Sequence, residues 1–186
     1  MAEFDSYLFF LINTKFSNGF LDSVMPIVTE LKYWLPVLLP LYLFLIFGQQ
    51  GKHRTIAIIM LINVGVTDQI SSHLMKPLFQ RKRPCCVEAN SRNLIGCKDS
   101  KAFPSSHAAN TAGVAGIVLF AKGLRFGLPL LLISAIVSYS RVYVGVHYPI
   151  DVIAGMLTGI LAAWVVVRLA RRYLEIPPQE KADECR

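Results

Sequence analysis

Charge is what this chain has least of. Only 17% of its 186 residues are Asp, Glu, Lys or Arg, against about 25% in an ordinary soluble domain. The apolar fraction is 54%, and those residues are gathered into runs, a pattern that points away from a soluble domain and towards one helical membrane domain. The N-terminus lacks the basic residues that a cleavable signal peptide needs and carries Glu3 and Asp5 instead. Cysteine is sparse as well. Of the four, Cys85, Cys86 and Cys97 share one polar loop that holds no histidine, and the spacing fits no zinc finger. In an oxidising compartment Cys97 could pair with Cys85 or with Cys86; otherwise the thiols stay free. Acidic residues number 12 against 19 basic ones, a net charge of +7. A basic excess fits nucleic acid, anionic lipid or a phosphorylated substrate, and the membrane setting argues against nucleic acid.

What the chain does have is apolar length. Residues 4–31 contain two modest runs, Tyr7–Ile12 and Phe20–Val28, broken by Lys15, Asn18, Asp22 and Glu30. Neither reaches the roughly 20 residues of a spanning helix. Residues 1–31 are therefore expected to be an interfacial amphipathic arm, with a packed sixth helix as the alternative. Five spans are predicted after it: Tyr33–Gly48, Thr55–Met75, Ser105–Ala121, Phe126–Tyr139 and Pro149–Val167. The fourth is short and needs its flanks. In the fifth, Gly155 and Gly159 form a small-xxx-small pair suited to close helix packing. The fold class is thus an all-α integral membrane bundle of about five transmembrane helices. It divides into the arm (1–31), a transmembrane domain (32–176) and a polar tail (177–186).

When the spans alternate, Lys52, Arg54, Lys122, Arg125, Arg168, Arg171 and Arg172 fall at one face, which the positive-inside rule assigns to the cytoplasm. The other face receives the 76–104 loop and the 140–148 turn. There the chain delivers Lys76, Arg83 and Pro84, then Pro104-Ser105-Ser106-His107, then Ser140-Arg141 followed by His147 and Asp151. Each part has an ordinary explanation alone: Arg81 and Lys82 read as solvated anchors at a span's end, and Pro-Ser before an apolar run reads as a helix start. Together they supply what a phosphate needs. Guanidinium groups grip its oxygens in pairs, and Lys adds a point charge. Ser105 suits an N-cap, so the amides of Ser106 and His107 can point at an anion. Pro149 suits a first helical turn. His147 and Asp151 stand at i and i+4, so a carboxylate can take one imidazole proton and leave the other nitrogen free to attack.

These three segments resemble the signature of the type 2 phosphatidic acid phosphatase family, over roughly residues 55–170. One position departs from it: Ser106 stands where the family usually has Gly. The resemblance implies that His147 is the nucleophile, that Asp151 orients it, and that His107 protonates the leaving oxygen and then activates water. It also implies that Lys76, Arg83, Arg141, Ser105 and the amide of Ser106 hold the phosphoryl oxygens. The short length and the run from Phe103 to Asn110 look like small bacterial lipid A 1-phosphatases and undecaprenyl-diphosphate phosphatases. The expected substrate is a membrane lipid phosphate held in a phospholipid bilayer. No metal, cofactor or protein partner is implied, since no carboxylate cluster stands at that face to hold Mg²⁺. The expected location is a bacterial inner membrane with the site on the periplasmic side. A vanadate-dependent peroxidase would share the same oxyanion pocket, and a lipid or anion transporter would use it for binding; the spans disfavour the first and the lack of internal repeats the second. Asp68, on a polar stripe of the second span with Ser72, is left outside the catalytic set.

Overall fold

A computed structural model describes residues 2–48 and 51–174; the predicted polar tail lies outside the described residues. Among the described residues nine α-helices follow one another, with π-helical turns extending three of them. They are α1 (Ala2–Phe10), α2 (Gly19–Thr29), α3 (Leu31–Leu43), α4 (Lys52–Gln69), α5 (Lys76–Phe79), α6 (Pro84–Val87), α7 (Ser106–Lys122), α8 (Leu124–Tyr143) and α9 (Pro149–Leu174). The described residues contain no strand.

Among the described residues, four segments are long and apolar enough to cross a membrane: Leu31–Gly48, Lys52–Val87, Leu124–Tyr143 and Pro149–Arg171. The third expected span, α7, has 17 residues and lies at the centre, packed against α4, α8 and α9. Its composition explains that position. Ala108, Ala109, Ala112, Gly113, Ala115 and Gly116 are all buried, and small side chains let backbones approach where lipid offers no hydrophobic drive for helices to associate. Across the α7–α9 seam, a Cβ added at Gly159 would collide with the carbonyl of Ala109 and the amide of Gly113, and one at Gly155 with the carbonyl of Ser105. The glycine pair therefore sets how near the two helices stand. Along α4 and the π-helical turn that extends it, Asn63, Thr67 and Ser71 are buried at every fourth position, and Thr67 donates to Asn110 Oδ1 of α7 at 2.6 Å.

Span boundaries shift from the sequence expectation, most of all in the second and fourth spans. The second span continues through a π-helical stretch (Ile70–Met75) into α5 and stops where Gln80 adopts a left-handed φ of 47°. The fourth recruits its flanks and runs from Leu124 to Tyr143, so Arg141 sits in its last turn. Helix formation costs little for a polar residue whose backbone is already bonded, and so polarity alone does not mark the end.

The N-terminal residues fold into the same body. Asp5, Phe9 and Asn13, four residues apart, form a buried stripe. Phe9 packs on Tyr148 and Val152, while the Asn13 amide donates to the carbonyls of Tyr143 (2.7 Å) and Arg92 (2.8 Å). The Asn18 side chain caps α2 by accepting from the Leu21 amide. Farther along, Asp22 accepts from the Tyr143 hydroxyl at 2.7 Å and pairs with Arg92. Those bonds, that from Arg92 first, hold the Asp22 carboxyl below its usual range.

Candidate active site

The three segments singled out in the sequence meet at one end of the bundle, tied by backbone bonds. The Ser105 amide donates to the Asp151 carbonyl at 2.9 Å, and the Ala102 amide to the Arg81 carbonyl at 2.8 Å. At the opposite end Arg171 of α9 donates to the Phe120 carbonyl of α7, so the basic helix ends gather away from the site.

His147 lies in the five-residue link between α8 and α9, almost wholly buried. Pro149 opens α9 as expected, which puts Asp151 one turn in, with its Oδ2 3.7 Å from His147 Nδ1. On the other side of the ring, Arg83 Nη1 stands 3.3 Å from His147 Nε2. A guanidinium can only donate, so Nε2 accepts and the proton belongs on Nδ1, facing Asp151. Nε2 thus carries the unprotonated lone pair, which faces Arg83 in the cationic cluster. Burial first, then the positive charges of Arg83, Arg141 and Lys76, push the His147 imidazole well below its ordinary pKa; the ring is neutral and nucleophilic at neutral pH.

That shift has a consequence for stability. The unfolded chain would bind a proton at His147 near its ordinary pKa of 6.5, whereas the fold holds the ring neutral to lower pH. Stability from this group is complete above 6.5 and falls as pH drops below it. A bound phosphate-like anion offsets the cations and favours the imidazolium. The expected result in thermal melts is a midpoint that declines below pH 6.5 and is restored by orthovanadate or inorganic phosphate; a midpoint flat across that range would contradict the assignment.

Arg83 is buried and aimed by its neighbours: Nε donates to the Ser100 carbonyl (2.8 Å), Nη2 to the Ser100 hydroxyl (2.9 Å) and Nη1 to the Val146 carbonyl (3.2 Å). Lys76 donates to Ser106 Oγ at 2.7 Å. The residue that departs from the family pattern is therefore used, since its hydroxyl steadies the lysine. Arg141 donates to Thr29 Oγ1 at 2.8 Å and leaves its buried Nε without a partner. Ser105 is the residue before α7, as expected for an N-cap, but its hydroxyl makes no capping bond. Its buried Oγ has no partner, so it is available inside the cradle. His107 occupies the first turn of α7, and the charges of Arg141, Lys98 and Arg83 reach it. Every expected site residue is brought together.

Sequence reasoning missed four contributors. Arg81 is not a solvated anchor: it donates to Asp151 Oδ1 (2.8 Å) and to Asp5 Oδ2 (2.6 Å) and stacks 4.0 Å over the Tyr148 ring. Asp5, Thr29 and Ser100 were equally silent, because their partners lie 76, 112 and 17 residues away. One usable signal existed for Arg81. It sits two residues before Arg83, on a segment that must turn towards the site. Lys82 is exposed, as expected. Asp68 accepts from Ser72 Oγ at 3.4 Å within its own helix. Near the mouth, Cys85 and Cys97 form a disulfide, and the exposed Cys86 thiol lies 2.9 Å from Cys97 Sγ. Between the two pairings left open by the sequence, the structure adopts Cys85–Cys97. Tyr148 donates to Glu88 at 2.8 Å, and burial holds its phenol above the ordinary pKa.

Comparison with known proteins gives the same picture. The chain is 28% identical over 182 residues to a lipid A 4'-phosphatase of Bacteroides thetaiotaomicron, covering 92% of this chain and 79% of that protein. It is 28% identical over 155 residues to the undecaprenyl-diphosphatase BcrC of Bacillus subtilis, covering 82% and 77%. Its fold superposes on the crystal structure of Aquifex aeolicus LpxE with a TM-score of 0.69 at 25% identity, over 87% of this chain and 93% of that one. The family model of the PAP2 superfamily matches residues 53–174. With all three signature segments inside that match and converging on one histidine, the chain belongs to the PAP2 superfamily and is a membrane-embedded phosphatase of that superfamily.

Proposed function

We propose that this phosphatase removes a phosphate from a lipid phosphomonoester or diphosphate through a phosphohistidine on His147. The observation that supports this most is the cradle itself: a buried imidazole whose Nε2 faces Arg83, with Lys76 and Arg141 close enough to act on it electrostatically, at the end of a bundle of apolar helices. A lipid can keep its tails in the bilayer and bring its headgroup to this end.

The steps follow from the geometry. Lys76, Arg83 and Arg141 bind the phosphoryl oxygens, with the free hydroxyl of Ser105 and the Ser106 amide beside them. Nε2 of His147 attacks phosphorus as the P–O bond to the lipid breaks, and Asp151, across the ring, stabilises the imidazolium that forms. His107 gives a proton to the departing lipid oxygen. The same histidine then takes one from water, which displaces His147 and releases inorganic phosphate. Phosphoryl transfer is mostly positioning and charge stabilisation, and the guanidinium and ammonium groups supply that charge.

The site is inferred to face the periplasm from the inner membrane. The basic helix ends lie at the other end, and the Cys85–Cys97 disulfide beside the site suits an oxidising compartment. Lipid A phosphates, undecaprenyl diphosphate, phosphatidylglycerol phosphate and phosphatidic acid are the candidate substrates. Phosphate release from this panel in detergent tests the proposal. Release that persists with a chelator and is blocked by vanadate is expected; strict dependence on an added divalent ion would overturn the mechanism.

A further inference from the structure

The family match begins at residue 53, yet the N-terminal residues make bonds that end at the active site. Asp5 of α1 is buried and divides its carboxylate between two tasks. Oδ1 accepts from the Ile150 amide at 3.0 Å, in the first turn of α9, and Oδ2 accepts from Arg81 at 2.6 Å. Arg81 passes the connection on to Asp151 Oδ1 at 2.8 Å, while the Asp151 Oδ2 that faces His147 accepts from the Tyr148 amide at 2.9 Å. Asp151 is therefore not free to turn towards the imidazole. Its orientation is set by a guanidinium that it shares with a second carboxylate from the opposite end of the sequence.

We propose that Asp5 and Arg81 form a clamp that positions Asp151 and thereby sets the protonation of His147, so that Asp5, which lies outside the family match, completes the catalytic machinery. Both are positioning residues: neither touches the phosphate, and both act through Asp151. The proposal rests on His147 and Asp151 having the roles assigned above. The other charges facing the imidazole are Lys76 and Arg83 from the segment after α4, His107 at the start of α7 and Arg141 at the end of α8. They are common to every protein compared below and so cancel. Removing Arg81 leaves Asp5 and Asp151 without their shared cation, which favours the imidazolium. Removing the charge of Asp5 leaves Arg81 undivided on Asp151, which disfavours it.

The test is the pair Arg81→Met and Asp5→Asn, with Arg81→Lys as the conservative control, in the full chain in detergent. Arg81→Met is expected to lower kcat about 100-fold with little change in KM, as misplacement of a catalytic group does, and to move the acid limb of the pH profile up by roughly one unit. Asp5→Asn is expected to move that limb down. Arg81→Lys restores the limb and part of kcat. A merely structural lesion would not send the two limbs in opposite directions. The His147 ring, followed by NMR of protein labelled with ¹⁵N-histidine, gives the same readout without substrate. If the wild type releases no phosphate from any lipid, the proposed function fails while the imidazole titration still tests the clamp. Shifts of one sign in both variants, or no shift in either, would overturn it; if Arg81→Met does not fold, the downward shift in Asp5→Asn decides.

Discussion

His147→Ala is expected to reduce phosphate release by at least ~10⁴-fold, the scale seen when a nucleophile is deleted from machinery that acts as a unit. No other group can take its place. Nε2 is the acceptor nitrogen set against Arg83, and the site's other imidazole, His107, is assigned to the proton transfers. Acid-labile phosphate should appear on the wild-type protein during turnover and be absent from this variant. His107→Ala separates the two half-reactions. With a natural lipid leaving group it should cost about 10²–10⁴-fold, the contribution of a positioned acid or base. With an aryl phosphate, whose leaving oxygen needs no proton, phosphohistidine should form and then persist, because water is no longer activated. Label recovered from His147→Ala protein, or normal turnover by it, would defeat the assignment of the nucleophile.

The second large effect is structural. Gly159→Val is expected to destabilise the bundle by about 3 kcal/mol, the upper part of the range for overpacking, and to lower activity with it. A Cβ there meets the Ala109 carbonyl and, at 2.7 Å, the Gly113 nitrogen. Both are backbone of α7 and cannot swing aside as a side chain would. The helices must separate, and α9 carries Asp151 two turns above the contact while α7 carries Ser105 and His107 at its start. Gly65 provides the control. A Cβ there meets nothing within 4 Å, so Gly65→Ala should leave the melt unchanged or raise it slightly, by about 0.5 kcal/mol. Equal melts for the glycine variant and the control would show that the α7–α9 seam is more compliant than the geometry requires.

Both outcomes were partly legible in the residues. Gly155 and Gly159 stand at a spacing that has a packing meaning whatever surrounds them, and the structure sets their partner as α7. Lys76, Arg83, Ser105, His107, Arg141, His147 and Asp151 could be found because each belongs to a short motif, and because threading the spans sends all three motifs to one end. Arg81 illustrates the limit. At the end of a span a basic residue has water or lipid headgroups as its default partner, and nothing local distinguishes one that turns inward. Asp5 is harder still. Its neighbours Glu3 and Ser6 give no motif, and its value depends wholly on Arg81 and on the first turn of α9, 145 residues away.

Composition and hydrophobic period by themselves determined that the chain is helical and membrane-embedded, since in lipid every backbone group must be bonded within its own segment. The motifs likewise singled out the residues proposed to carry the phosphate chemistry, because that chemistry demands particular side chains at particular intervals. Only the tertiary structure decided that the N-terminal residues join the catalytic body, which cysteine pairs with Cys97, and what steadies Asp151. Those matters depend on contacts between groups far apart in the chain, and a linear pattern carries no record of which distant partner a buried charge will meet.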